Sequence, residues 1–168
     1  VDGQAFAEYV VDQANKPYLW PIYGPTGKSM TRAYPMQNVP GEKQDHPHHR
    51  GLCFGHQSIG GSNTWAERAS YGEKSKPEAL ALLGSIKHSR FGTLKGGSTA
   101  VIEAYADYVT SEGKKTIAEK RVMTFMVEGA TRIIDVDIDL IASHGDIAVG
   151  DEKDAGLSIR VPHSMSVD

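Results

Sequence analysis

Thr131–Ala142 reads TRIIDVDIDLIA, and its period decides the fold class. Ile134, Val136, Ile138 and Leu140 fall on one side of an extended chain, and Asp135, Asp137 and Asp139 on the other. Successive side chains of a strand point to opposite faces, so a period of two predicts a strand with one apolar and one wet face. Alternate acids on such a strand form a solvated face that also discourages aggregation between sheets, so the three aspartates are not read as a cation site.

The same pattern extends outward. Ser98–Val109 and Thr116–Val127 are strand-like, with Glu103 and Asp107, then Glu119 and Arg121, on alternate positions. Leu82–Phe91 is a fourth member. Lys95–Gly96–Gly97, Ser111–Glu112–Gly113 and Glu128–Gly129 supply turns between them. Consecutive strands at this spacing predict an antiparallel meander. Only Glu78–Leu83 has helix-forming composition. Ala5–Val11 reads as a short strand, and Pro17, Pro21, Pro25 and Pro35 forbid a long helix across 16–36, where short edge-type strands and turns fit. The expected fold is all-β, an antiparallel β-sandwich or part of one, in a single domain over 1–168.

Composition bounds the function. A chain of 168 residues, 39% apolar and 23% charged, has a substantial core and is globular. The net charge is −3 and no stretch gathers Lys and Arg on one face, so neither nucleic acid nor an anionic membrane surface is an expected partner. No apolar run is long enough to span a bilayer as a helix. The single cysteine, Cys53, lies in the apolar run Leu52–Cys53–Phe54 and is read as a small buried hydrophobe. GPTGKS at 24–29 imitates a phosphate-binding loop, but Ile22 stands where that motif needs its first glycine and no helix follows. A hairpin turn at Pro25–Thr26–Gly27 is expected instead.

The candidate site is DHPHHRGLCFGHQSIGGSNTWAE, residues 45–67. It holds His46, His48, His49 and His56, four of the seven histidines, beside Asp45, Arg50, Asn63, Trp65 and Glu67. Pro47 disfavours helix at His46, so DHPHHR is expected to be extended, with His46 and His48 on one side and His49 and Asp45 on the other. Leu52–Gln57 reads as a strand from which His56 projects. One reading is acid/base chemistry on a polyol. Histidine titrates near neutral pH, Trp65 offers a flat apolar face for a pyranose, and Arg50, Asn63 and Glu67 pair with hydroxyls. This reading needs no cofactor. A second is a divalent metal such as zinc held by Asp45, His46, His48 and His56, although the spacing matches no well-marked zinc motif. A third is a non-catalytic interaction domain whose histidines satisfy loop backbone. His88, His144 and His163 are isolated and read as structural or surface groups.

KPYLWPIYGPTGKSMTRAYPM at 16–36, DHPHHRGLCFGH at 45–56 and GGSNTW at 60–65 resemble the PmoA-like proteins of unknown function found in planctomycetes and related bacteria. The resemblance runs from about Ala5 to GLSIRV at 156–161. The name evokes methane oxygenase, whose subunits span membranes, and nothing here does so as a helix. The resemblance implies a galactose mutarotase-like β-supersandwich that acts on or binds carbohydrate. In mutarotases one His is a general acid, a second binds sugar and a Glu is the base. Matched onto this chain, that implies His49 and His56 as acid/base groups; the mutarotase Glu lies late in that fold and is not placed here, Glu67 being the carboxylate available locally. The residues themselves put His48, Arg50, Asn63 and Trp65 forward as the sugar contacts beside them. It also suggests a secreted or periplasmic location. Family members run to nearly twice this length, the chain opens on Val1, and it stops soon after the strand-like Leu157–Val161. We therefore expect an N-terminal portion of a supersandwich, completed by a second segment or by a second copy of the chain.

Overall fold

The structure is a computed structural model that describes residues 1–72 and 76–167. Among the described residues, eight strands form two sheets of four, all pairs antiparallel. The smaller sheet orders β1 (Ala7–Val10), β2 (Tyr18–Ile22), β3 (Leu52–His56) and β8 (Ala155–Ile159) as β1-β2-β3-β8. The larger is the meander β4 (Ser85–Lys95), β5 (Thr99–Val109), β6 (Lys115–Glu128) and β7 (Thr131–Ile141). One short helix, α1 (Pro77–Ala81), precedes β4. The protein is a β-sandwich. Among the described residues, no helix is long and apolar enough to cross a membrane.

The meander follows from the turns. Glu128 pairs with Thr131 across a two-residue hairpin in which Gly129 takes φ +60°, the left-handed region that glycine enters without penalty. β4 runs three residues later and four residues further than Leu82–Phe91, with bulges between His88 and Arg90 and between Phe91 and Leu94. On the outer face Asp139, Lys120, Tyr105 and Arg90 lie in register across all four strands, the Arg90 guanidinium stacked 3.5 Å from the Tyr105 ring. The GPTGKS segment is the expected turn: Tyr23 bridges Ser29 and Gly27 has φ +77°.

β2 is not an edge strand. It lies between β1 and β3, and Pro21 is tolerated because the β1–β2 register shifts there: Tyr9 pairs with Leu19, and Ala7 with Ile22. A bulge is where an internal strand can lose a ladder donor.

The core is divided. Phe6, Leu19, Ile22, Met123 and Phe125 form one apolar cluster, and Ile59, Ile86, Ala106, Tyr108 and Ile117 another. Between them on the inner face of β6 sit Glu119 and Arg121, only 1% and 3% exposed. Their alternation therefore marks an inward face, not a wet one. Arg121 Nε donates to Glu119 Oε1 at 2.7 Å, and the Tyr108 hydroxyl donates to Oε2 at 2.8 Å. Burial pushes the Tyr108 hydroxyl well above its usual pKa, with the Glu119 charge adding to that, so it remains a donor. The apolar row of β7 is covered only in part: Leu140 is 42% exposed, and a cleft of about 600 Å³ opens between the sheets beside Phe6, Leu52, Ile134, Val136 and Leu157.

Removing one member of a buried ion pair strands the other charge, whereas replacing both does not. Arg121→Met alone should cost about 3–5 kcal/mol in urea unfolding, and Glu119→Leu with Arg121→Met should recover most of that loss. Equal losses in the single and double variants would show that the pair is not a coupled unit.

Candidate functional site

The histidine loop and the segment from Asn63 to Ser70 come together on the side of the smaller sheet away from the larger one. Leu19 pairs with Leu52 and both face the core, so the paired Tyr18 and Cys53 face outward. Both are nonetheless buried, because these segments lie over them.

Two glycines allow that approach. Gly51, at φ +52°, passes so near β2 that a Cβ would collide with the Leu19 carbonyl. At Gly55 a Cβ would meet Thr64 O at 3.0 Å and Trp65 Cα at 3.1 Å. Hydrogen bonds then hold the segment down. Thr64 and Trp65 amides donate to the His56 carbonyl at 2.9 and 3.2 Å, and Asn15 Nδ2 donates to the carbonyls of Thr64 and Ala66. Lys16, 1% exposed, sends its Nζ to the Trp65 carbonyl at 2.6 Å and to Asn15 Oδ1 at 3.1 Å. Burial lowers the Lys16 pKa.

DHPHHR is a turn, not an extended segment. The His49 amide donates to the His46 carbonyl at 3.0 Å, and His46 has φ +48°. Proline is favoured at the second position of such turns, and its exclusion of the right-handed helical region at the preceding residue leaves the left-handed region open. The expected separation of His46 and His48 from His49 is therefore replaced by one cluster. Ring centroids are 5.4 Å apart for His46–His49, 5.8 Å for His46–His48 and 4.4 Å for His48–His49, and His49 meets Trp65 edge-on at 5.3 Å.

A fixed polar frame holds this cluster. Arg50 Nη2 donates to Glu67 Oε1 at 2.7 Å and Nε reaches Oε2 at 3.4 Å, with the guanidinium 5.9 Å from the Tyr18 ring centroid. Glu67 is 8% exposed and both its oxygens face Arg50, so it acts here as an anchor. Ser70 Oγ accepts from the Glu67 amide at 3.0 Å and lies 2.8 Å from His48 Nδ1. This hydrogen bond ties the His48 ring to the segment that carries Glu67. Burial, followed by the nearby cationic groups including Lys16 and Arg160, lowers the pKa of both His48 and His49 to about 4. Both are neutral at physiological pH.

The remaining residues singled out in the sequence lie elsewhere or have other partners. His56 is buried and its Nδ1 accepts from the Ser58 amide at 2.9 Å, outside the ring cluster. Asn63 Oδ1 accepts from the Ala66 amide at 2.9 Å, closing the turn that presents Trp65. Asp45 turns away from His49: Arg160 Nη2 donates to its Oδ1 at 2.7 Å, and Arg32 Nη2 lies at the same distance from that oxygen. Among the described residues, no three or more His, Cys, Asp or Glu side chains are grouped to hold a metal ion, so Asp45, His46, His48 and His56 are not assembled as a ligand set. Cys53 is buried, its Sγ 3.7 Å from Ser158 Oγ. Sequence reasoning missed Lys16, Tyr18 and Ser70, which carry no local motif, and Arg32 and Arg160, which reach Asp45 only through the fold.

Fold and site together define an all-β sandwich with a neutral imidazole and indole cluster backed by a buried Arg–Glu pair. The chain belongs to a family of unknown function, DUF6807, whose family model matches residues 1–168. No curated protein and no solved structure matches it.

The histidines set the pH response. Their folded pKa of about 4 lies below the ordinary 6.5, so the unfolded chain takes up protons first as pH falls. The urea midpoint should drop between about pH 6.5 and 4. His48→Asn with His49→Gln should flatten that slope, and an unchanged slope would mean that these rings titrate normally.

Proposed function

We propose that this chain is a carbohydrate-binding β-sandwich protein. The observation that carries the reading is the packing of His48 and His49 against Trp65, with both imidazoles held neutral. A neutral imidazole both accepts and donates a hydrogen bond, as a hydroxyl requires, and an indole supplies the apolar surface that a pyranose face covers. The resemblance to PmoA-like and mutarotase-like proteins points to the same ligand class.

In this reading Trp65 and His48 position the sugar. His49, held neutral by its low pKa, offers a ring nitrogen that accepts a hydrogen bond from a sugar hydroxyl; so low a pKa makes it a weak base, and its role here is to orient the hydroxyl. Arg50 and Glu67 fix the frame. Glu67 positions Arg50, which holds both its oxygens. His56 shapes the β3 turn that carries Trp65.

A glycan array followed by titration of tryptophan fluorescence tests this. Trp65→Ala should weaken binding of any captured glycan about tenfold or more, consistent with the ~1–3 kcal/mol that an aromatic stacking platform contributes. His49→Gln, which keeps a donor and an acceptor at that position, should weaken binding less than Trp65→Ala does. Absence of any glycan captured by the native chain, or equal binding by Trp65→Ala, would overturn the reading.

A further inference from the structure

Beside the histidine cluster lies a cleft of about 510 Å³ whose lining includes Arg32, Lys43, Asp45, His46, Arg160 and His163. Its charges do not balance within the protein. Glu42, also on its wall, is already committed: its two oxygens accept from the amides of Ala33 and Tyr34 at 3.0 and 2.6 Å. That leaves Asp45 to face three cations. Arg32 and Arg160 both sit 2.7 Å from its Oδ1, while Oδ2 has only Lys43 at 3.7 Å. One carboxylate can satisfy one guanidinium in the bidentate manner, not two. Arg32, 6% exposed with Nε and Nη2 buried, backs Asp45 from inside the wall, whereas the Arg160 and Lys43 side chains are 26% and 81% exposed. Three cations thus share one carboxylate on the wall of the cleft.

His46 joins this cleft to the candidate sugar site. It lines the cleft, and its ring stacks 5.4 Å from that of His49. A ligand seated on Trp65 and His49 therefore has a cationic pocket at its side.

We propose that the sugar bound here is an acidic one, whose carboxylate enters the cleft and pairs with Arg160 and Lys43. This rests on the carbohydrate reading above and adds the substrate class to it. A guanidinium fork matches a planar carboxylate, and the exposed Lys43 adds a point charge at the rim.

Isothermal titration of the intact chain with a glucuronate oligosaccharide, its neutral glucose counterpart, a sulfated counterpart and inorganic sulfate alone tests the proposal. The native chain should prefer the glucuronate ligand to the neutral one by about tenfold or more. Arg160→Gln should reduce that preference to near unity, and Lys43→Gln, at an exposed side chain, should reduce it in part. Inorganic sulfate should bind the native chain and Trp65→Ala alike but not Arg160→Gln, which reports on the cleft without the sugar site. Neutral and acidic sugars binding equally would overturn the acidic class and leave the carbohydrate reading standing. A stronger preference for the sulfated sugar would replace the carboxylate with a sulfate ester. Sulfate binding with no sugar bound would sink the carbohydrate reading and keep the cleft as an anion site. No binding of any of the four would overturn both.

Discussion

The site depends on a buried lysine. Lys16 reaches across the outer side of the smaller sheet to the Trp65 carbonyl, and Asn15 beside it takes the carbonyls on either side of Trp65. An ammonium taken out of water is costly unless its donors are satisfied, so this geometry is sharply defined. The Asn15 carbonyl in turn accepts from the Ile86 amide at the start of the larger sheet. One dipeptide thus ties both sheets to the segment that presents Trp65. It also places a positive charge near His48 and His49, helping to keep them neutral. Anchor and electrostatic tuning come from the same side chain.

The core uses a similar device. Glu119 accepts from both Arg121 and Tyr108 between the two apolar clusters. Such a group adds little net stability against a hydrophobic replacement of equal volume. Its geometric demand is strict, however, and it fixes how β6 meets its neighbours.

The larger sheet was legible because period two survives in any environment. Thr131–Ile141 and Thr99–Val109 form strands almost where the alternation places them. Which face turned inward was legible on β7, where all the acids share one side, and not on β6. There Ile117, Glu119, Arg121, Met123 and Phe125 alternate with Ala118, Lys120, Val122 and Thr124, so both faces are mixed and only packing decides. The histidine stretch was legible as a cluster but not as a shape. Pro47 limits its neighbour's backbone without choosing between strand and left-handed turn, and the turn reverses which rings share a side. Asp45 was misplaced for a further reason: its partner Arg160 lies 115 residues away in sequence, beyond any local pattern.

The two edges of the larger sheet carry opposite charge on one face. Asp135, Asp137 and Asp139 line β7, while Lys87, Arg90 and Lys95 line β4. Two β7 edges brought together would set acid against acid, and two β4 edges base against base. Only the unlike edges attract, and that contact does not close on itself: repeated, it would build an open filament. The two bulges of β4 spoil the even ladder that such growth would require. The sheet is thus protected by repulsion against symmetric pairing and by irregularity against the asymmetric kind. A second copy that covers the half-exposed apolar row of β7 would therefore pack against its face, because edge pairing between copies is opposed at both ends of this sheet.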